Sequence, residues 1–233
     1  MRWMNLIVLT AVALAATPAH AEWKGKGELG GVLARGNTNT ETLSGKVDMT
    51  LETGKWKHLA GFSILRTVND SVTSANRWEL HGESDYQLSD RSFVFGSGRY
   101  ENDHFTAFSY QASAAVGYGY KFIDEKDTRL AVKLGAGYRR SELRDSGVVD
   151  NNAIVSGMVD YFHRLTDTTS LTNKLLVESG RSNTFLQNAL GLQVKINSSL
   201  ALGLSYDVRH NTTVVAGTKK TDQVLTVNLV FGF

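Results

Sequence analysis

The sequence predicts an all-β fold, a transmembrane antiparallel β-barrel of about twelve strands. Apolar and polar residues alternate in segment after segment, the single proline lies at position 18, and residues 223–233 alternate strictly. Alternation is typical of strands that separate an apolar medium from a wetter one. Proline is excluded from central positions of a sheet, so its absence after residue 18 favours the same fold.

The first half of the chain supplies strand-like segments at residues 22–35, 40–52, 55–68, 75–88, 92–102 and 110–122. The clearest is 75–88, where Trp78, Leu80 and Tyr86 alternate with charged residues. In 55–68 both faces are mixed. In 92–102 two phenylalanines share a face with Arg99 and Glu101, which either a β-bulge or a plugged, partly apolar lumen would explain.

The second half supplies segments at residues 129–140, 151–165, 169–179, 184–196, 200–210 and 223–233. Short connections, such as 89–91 and 197–199, mostly alternate with longer ones, such as 69–74 and 141–150. Outer-membrane barrels alternate short periplasmic turns with longer outer loops in this way, so the pattern predicts that both mature termini are periplasmic. The competing all-β interpretation is a soluble calyx or sandwich.

The beginning of the chain predicts export. Arg2, the apolar run 6–16 and the sequence Ala19-His20-Ala21 form the three parts of a cleavable signal peptide. We therefore expect a signal peptide at 1–21 and a single barrel domain at 22–233. A mean hydropathy of −0.20 suits a barrel whose strands are half polar.

Composition limits the function classes. The 25 Lys and Arg residues are balanced by 23 Asp and Glu residues, which argues against nucleic-acid binding and predicts a lumen of mixed charge. The chain has no cysteine, so it can form neither a disulfide nor a thiolate metal site.

No catalytic, metal or cofactor site is predicted, and the chain is not expected to be an enzyme. An outer-membrane hydrolase is the first alternative, but no nucleophile motif accompanies the histidines at positions 58, 81, 104, 163 and 210. Glu79, His81, Glu83 and Asp85 share one strand face at a spacing that could hold a metal. Ion pairs with lumen cations are the better interpretation, because buried carboxylates need partners.

The charged faces of the strands provide candidate lumen-lining residues: Arg77, Glu79, His81, Glu83, Asp85, Lys133, Arg139, Asp160, Arg164, Lys174, Glu178, Asp207 and Arg209. A lumen of about twelve strands is wider than that of an eight-stranded barrel, which side chains nearly fill. We expect a narrow channel for small hydrophilic solutes or ions. The alternative is a closed barrel with a structural role in the envelope.

The last strand places Leu225, Val227, Leu229, Phe231 and Phe233 on one face. It resembles the C-terminal strand of bacterial outer-membrane proteins. That resemblance implies that the barrel-assembly machinery reads these residues as a membrane-assembly signal and that outer-membrane lipid surrounds the barrel.

The sequence Gly36-Asn37-Thr38-Asn39-Thr40 follows the first strand, and an aromatic strand ends the chain. In both features the chain resembles the YdiY-like family of salt-induced outer-membrane proteins, domain of unknown function 481. The resemblance covers residues 22–233 and implies an outer-membrane barrel with a link to osmotic or salt response. It implies no catalytic residues.

Overall fold

The computed structural model describes residues 22–34, 40–104, 106–214 and 219–232. They form a closed antiparallel barrel, which confirms the predicted fold class and strand number. The strands are β1 (Glu22–Ala34), β2 (Thr40–Thr53), β3 (Trp56–Asn69), β4 (Val72–Gln87), β5 (Ser92–Asp103), β6 (Phe108–Asp124), β7 (Thr128–Leu143), β8 (Val149–Arg164), β9 (Thr169–Gly180), β10 (Thr184–Lys195), β11 (Leu200–Asn211) and β12 (Thr221–Gly232). The predicted signal peptide, the predicted turn at 36–39 and Phe233 lie outside the described residues.

Each strand pairs with its neighbours in sequence, and β1 pairs with β12 to close the ring. The closing ladder runs from Lys26 opposite Gly232 to Gly31 opposite Val227. Closure gives the backbone groups of the first and last strands hydrogen-bond partners, which an open sheet would leave unpaired. None of the described residues belongs to a helix long and apolar enough to span a membrane.

The outer wall of the barrel is apolar. Val116 is 69% exposed and Leu134 is 65% exposed, in the middle of their strands. In β12 the outward positions are Leu225, Val227, Leu229 and Phe231, while the residues between them, 226, 228 and 230, are buried. Exposed large side chains at every second position are typical of a wall in contact with lipid.

β5 keeps a regular register with β4 and with β6, so no bulge separates its two phenylalanines from Arg99 and Glu101. Both phenylalanines, at positions 93 and 95, are buried. Of the two explanations offered by the sequence, the partly apolar lumen is therefore the right one. The ring of Phe93 lies against Gly119, its cross-strand partner, where any added Cβ would overlap the ring.

β3 also has a defined inner face in the structure. Leu65 is buried, whereas its neighbours Phe62 and Ile64 are exposed on the outer wall. The inner face therefore carries the odd-numbered residues of this strand, including Lys57 and Ser63. The sequence left this assignment open because apolar residues occur on both faces.

The predicted loop at 69–74 is wrong. β3 continues to Asn69 and β4 begins at Val72, so only Asp70 and Ser71 connect them. Both have positive φ, 46° and 70°, as a two-residue hairpin of type I′ requires. Aspartate tolerates this conformation better than most residues. The additional pairs of the β3–β4 ladder follow a register shift between Thr67 and Val68.

The barrel has two distinct ends. The turn end carries short connections at residues 54–55, 88–91, 125–127, 165–168 and 196–199, together with the start of β1 and the end of β12. The loop end carries the connections at 70–71, 104–107, 144–148, 181–183 and 212–220.

Leu134→Arg tests the outer wall. In lipid vesicles we expect it to lower the free energy of unfolding by about 2–4 kcal/mol, because the guanidinium would face the hydrocarbon at mid-strand. The matched control is Val72→Arg, which places the same charge at a strand end, where the expected cost is about 0–1 kcal/mol. Urea titration in vesicles measures both, and equal losses would contradict a lipid-facing wall.

Candidate functional site

The inner face of the barrel carries charged groups along its length, beside apolar residues such as Phe93 and Phe95. Glu101 on β5 and Arg209 on β11 form an ion pair although they lie on opposite sides of the ring, which is possible only through the interior. Strand alternation puts all the predicted lumen residues on this inner face: Arg77, Glu79, His81, Glu83, Asp85, Lys133, Arg139, Asp160, Arg164, Lys174, Glu178, Asp207 and Arg209. Whether they line an open passage stays a prediction.

In the half near the loop end, five charged side chains form what we call the ionic layer: Glu79, Arg99, Glu101, Glu178 and Arg209. Glu101 Oε2 accepts hydrogen bonds from Arg99 Nη1 at 2.7 Å and from Arg209 Nη1 at 2.6 Å. Arg209 Nη2 reaches Glu79 Oε2 at 2.6 Å, and Arg99 Nη2 reaches Glu178 Oε2 at 2.8 Å. The side chains of the layer are only 3–8% exposed.

The ionic layer encloses an aromatic ring. Phe185 on β10 is 0% exposed, with the Arg99 guanidinium 4.3 Å and the Arg209 guanidinium 5.7 Å from its ring centroid. An aromatic face attracts a cation and does not compete for its hydrogen bonds. The ring therefore fills the space between the two arginines while their N–H groups stay on the glutamates.

Arg139 connects the ionic layer to the loop end. It is fully buried and donates to the backbone oxygen of Glu178 at 3.3 Å and to that of Asn183. The Asn183 side chain in turn donates to Asn211 Oδ1 at 2.7 Å and accepts from the backbone N–H of Thr213 at 3.1 Å. One buried arginine thus links the layer to two loop-end connections.

A second arginine covers the neighbouring part of the loop end. Arg144 Nη2 donates to the backbone oxygens of Asp103 at 2.6 Å and Phe108 at 2.9 Å, and its Nε donates to that of Thr106 at 3.3 Å. Ala107 and Phe108 are buried as a result. The described residues of the connection between β5 and β6 are therefore held against the connection between β7 and β8, a contact that the length of the segment did not predict.

Lys133 on β7 organises a second interior cluster, nearer the turn end. Its ammonium group contacts Glu83 and lies 3.3 Å from Asp85 Oδ2. The same ammonium lies 5.2 Å and 5.7 Å from the ring centroids of Phe93 and Phe95. The apolar residues of β5 thus form one wall of a charged site, which is how they share an inner face with Arg99 and Glu101.

Several of the remaining interior ion pairs are open to water, whereas Arg77 and Asp103, 4.0 Å apart, are largely buried. Lys174 lies 3.8 Å from Asp160, and these side chains are 49% and 43% exposed. Arg164 lies 3.4 Å from Asp127, and His81 lies 3.5 Å from Asp48. Asp207 has the same inward orientation as Arg209, with no cation of the described residues within ion-pair distance.

At the turn end this water-accessible part opens as a cavity of about 360 Å³, which we call the turn-end vestibule. Its lining includes Lys26, Phe162, Arg164, Asp167, Gln193 and Lys195. The lumen is thus open to water at the turn end and filled by buried ion pairs toward the loop end.

Three of the histidines, at positions 58, 163 and 210, lack the contacts of a catalytic triad. The Nδ1 atoms of His58, His163 and His210 each contact a hydroxyl of the neighbouring strand at 2.8–2.9 Å. Across the residues that the structure describes, no carboxylate lies within 4.0 Å of these three rings, so none has the third member of a triad. Over the same residues, no group of three His, Asp or Glu side chains is arranged to hold a metal ion.

Sequence reasoning missed three important interior residues. Arg99 and Glu101 were noticed but not assigned to the lumen, because two phenylalanines share their face. Phe185 begins a strand whose large residues otherwise point outward, so it was not recognised as interior. Its odd position, shared with Gln187 and Gln193, was the available signal.

Comparison with known proteins identifies a family that this chain matches and a relative of similar sequence. The family model described as protein of unknown function, DUF481, matches residues 27–233. The uncharacterized protein YdiY of Escherichia coli (strain K12) is 26% identical over 199 residues, which cover 84% of this chain and 77% of that protein.

Two solved structures have a similar fold. An outer membrane channel from Pseudomonas putida F1 superposes with a TM-score of 0.53 at 11% identity, over 94% of this chain and 97% of that one. The NanC porin superposes with a TM-score of 0.51 at 11% identity, over 91% of this chain and 98% of that one. At this identity the likeness establishes the fold alone.

Glu101→Gln tests the ionic layer. The substitution keeps the shape of the side chain but leaves two buried guanidinium groups without their shared carboxylate, so we expect a loss of about 3–5 kcal/mol in the free energy of unfolding. The matched control is Asp160→Asn, which breaks an exposed pair and should cost less than about 1 kcal/mol. Urea unfolding in vesicles measures both values. A loss for Glu101→Gln as small as the control's would show that the layer is not the buried network described.

Proposed function

The chain belongs to the DUF481 family, and on that premise, together with the geometry of its lumen, we propose that it is a barrel of the bacterial outer membrane that forms a narrow channel for small hydrophilic solutes or ions. The fold is that of outer-membrane channels, and the apolar wall suits lipid. The turn end is then periplasmic, the assembly machinery reads the last strand, and the signal peptide is removed on export.

One observation carries the channel proposal. Charged side chains occupy the interior from the turn-end vestibule to the ionic layer, so a continuous series of polar groups runs along the barrel axis. A closed structural barrel needs no such series, because apolar side chains fill an interior at lower cost than buried ions do. Ion pairs can exchange partners, which gives a path that opens without unfolding the wall.

The ionic layer is the constriction of the proposed channel. Its five residues join β4 and β5 to β9 and β11, and they have almost no contact with water. A solute can pass only when some of these pairs separate, which costs several kcal/mol if the charges stay unpaired. The channel should therefore be closed for most of the time, with small conductance and weak ion selectivity because both signs line it.

The burial of the ionic layer also favours the second candidate, a closed barrel with a structural role in the envelope. In that case the buried ion pairs would act only as an internal brace. The two candidates differ in whether the layer ever separates in the folded barrel. The link to osmotic or salt response remains an expectation for either candidate.

We expect single-channel recordings of the refolded mature protein in planar bilayers to give small, infrequent steps. The double variant Glu101→Ala/Arg209→Ala removes a whole pair across the barrel, so it widens the constriction while keeping the lumen charge balanced. We expect its conductance to rise severalfold, by roughly the ratio of the widened to the native opening.

The matched control is Asp160→Ala/Lys174→Ala, which removes an interior pair outside the ionic layer and should leave the conductance close to that of the native protein. Heat-dependent mobility in gels establishes that each variant is folded. If the native protein and both variants insert but stay silent, the closed structural barrel is correct. Release of fatty acid from phospholipid in the same samples would instead identify a hydrolase.

A further inference from the structure

The turn-end vestibule has an excess of positive charge on one side of the barrel. Lys26 on β1, Arg164 on β8 and Lys195 on β10 line it, and Asp167 is the carboxylate among its described lining residues. Arg129 adds a further cation close by, with its guanidinium 4.3 Å from the ring centroid of Phe162, another lining residue.

The cations of the vestibule differ in how they are held. Lys26 lies 2.8 Å from Glu28, and Arg164 lies 3.4 Å from Asp127. No carboxylate of the described residues lies within 4.0 Å of the Lys195 ammonium, and the residue is exposed to the cavity. Lys195 is therefore a fixed positive charge that can receive an anion without first losing a protein partner.

The rest of the lining combines hydroxyl and amide groups with apolar surface from Phe162, Leu200 and Val230. Two turns hold it in place, because Thr166 Oγ1 accepts from the backbone N–H of Thr169 at 3.0 Å and Asn197 Oδ1 accepts from that of Leu200 at 2.9 Å. Within the described part of the chain, Ser170 hydrogen-bonds to no other group through its side chain. These groups can donate to and accept from ligand hydroxyls.

We propose that the turn-end vestibule is a binding site for a small hydroxylated anion, a carboxylate or a phosphate ester, with Lys195 as its principal charge contact. Lys195 selects the charge of the ligand, and the hydroxyl and amide groups of the lining select its hydroxyls. The cavity volume of about 360 Å³ lies within the roughly 300–1,000 Å³ of small-molecule sites.

This inference deepens the proposed function and rests on it only for the route that the ligand takes. The vestibule is open at the turn end, and the ionic layer lies farther along the barrel toward the loop end. A bound anion would therefore be held before the constriction, where its local concentration rises through electrostatic focusing. Binding selects the solute, and the ionic layer limits its passage.

Titration calorimetry of the folded mature protein in micelles at low salt tests the site, with gluconate, glucose 6-phosphate and neutral glucose as probes. Saturable binding of either anion, with glucose weaker by about tenfold or more, is the expected result. Gluconate binding without glucose 6-phosphate binding would identify the ligand as a carboxylate, and the reverse would identify a phosphate ester. Lys195→Gln should weaken anion binding about tenfold, the effect of losing one charge-assisted hydrogen bond.

The matched control is Lys57→Gln, which removes the same charge from the inner face of β3 at the turn end, away from the vestibule lining. It should change the affinity by no more than about twofold. Absence of anion binding, equal affinity for glucose, or equal weakening by the two substitutions would overturn the site. Conductance is recorded separately. If the barrel binds an anion but does not conduct, only the channel proposal is wrong. If it conducts but binds no anion, only the proposed site is wrong.

Discussion

The pairing of β12 with β1 is the constraint on which the rest of the structure depends. A sheet of this length with open edges would leave two rows of backbone donors and acceptors without partners, and lipid offers none. Closing the ring gives these backbone groups partners. It also gives every strand one face toward the lumen and one face toward the outside. Each side chain is then assigned to the lumen or to the wall by position parity alone. A single charge on the wrong parity would face the apolar surroundings.

Parity explains why so much of the fold could be predicted from the sequence. The twelve strands and the apolar outer positions of β12 follow from alternation, since in lipid the outer face must be apolar. The inner face has no such rule. It can hold Phe93 and Phe95 beside Arg99, because the cross-strand partner of each ring is a glycine, Gly119 or Gly117, which leaves space for an aromatic ring. When a strand has apolar residues on both faces, its inner face therefore cannot be assigned from the sequence, although the folded barrel shows it.

The partners within the lumen could not be predicted. Arg209 is 130 residues from Glu79 and 108 from Glu101, and they meet only because the stagger of the closed ring brings those levels of β4, β5 and β11 to the same depth. That stagger is set by the register of all the ladders together. Sequence reasoning could therefore name charged inward residues and expect them to pair, but it could not say which pairs are buried. The contact of Arg144 with the described residues of the β5–β6 connection depends on the same tertiary geometry.

The depth of each charge suggests why the interior is divided in two. In the ionic layer the glutamates and arginines neutralise one another with little water, so the layer can be opened only by moving several groups together, and it has little net field. In the turn-end vestibule the pairs are solvated and Lys195 has no carboxylate partner among the described residues, so a positive charge is accessible to an anion there. A solute entering from the turn end would meet charge selection first and the steric barrier second. Selection of the solute and limitation of its passage are therefore carried by different residues, and a substitution in one half should leave the other half's role intact.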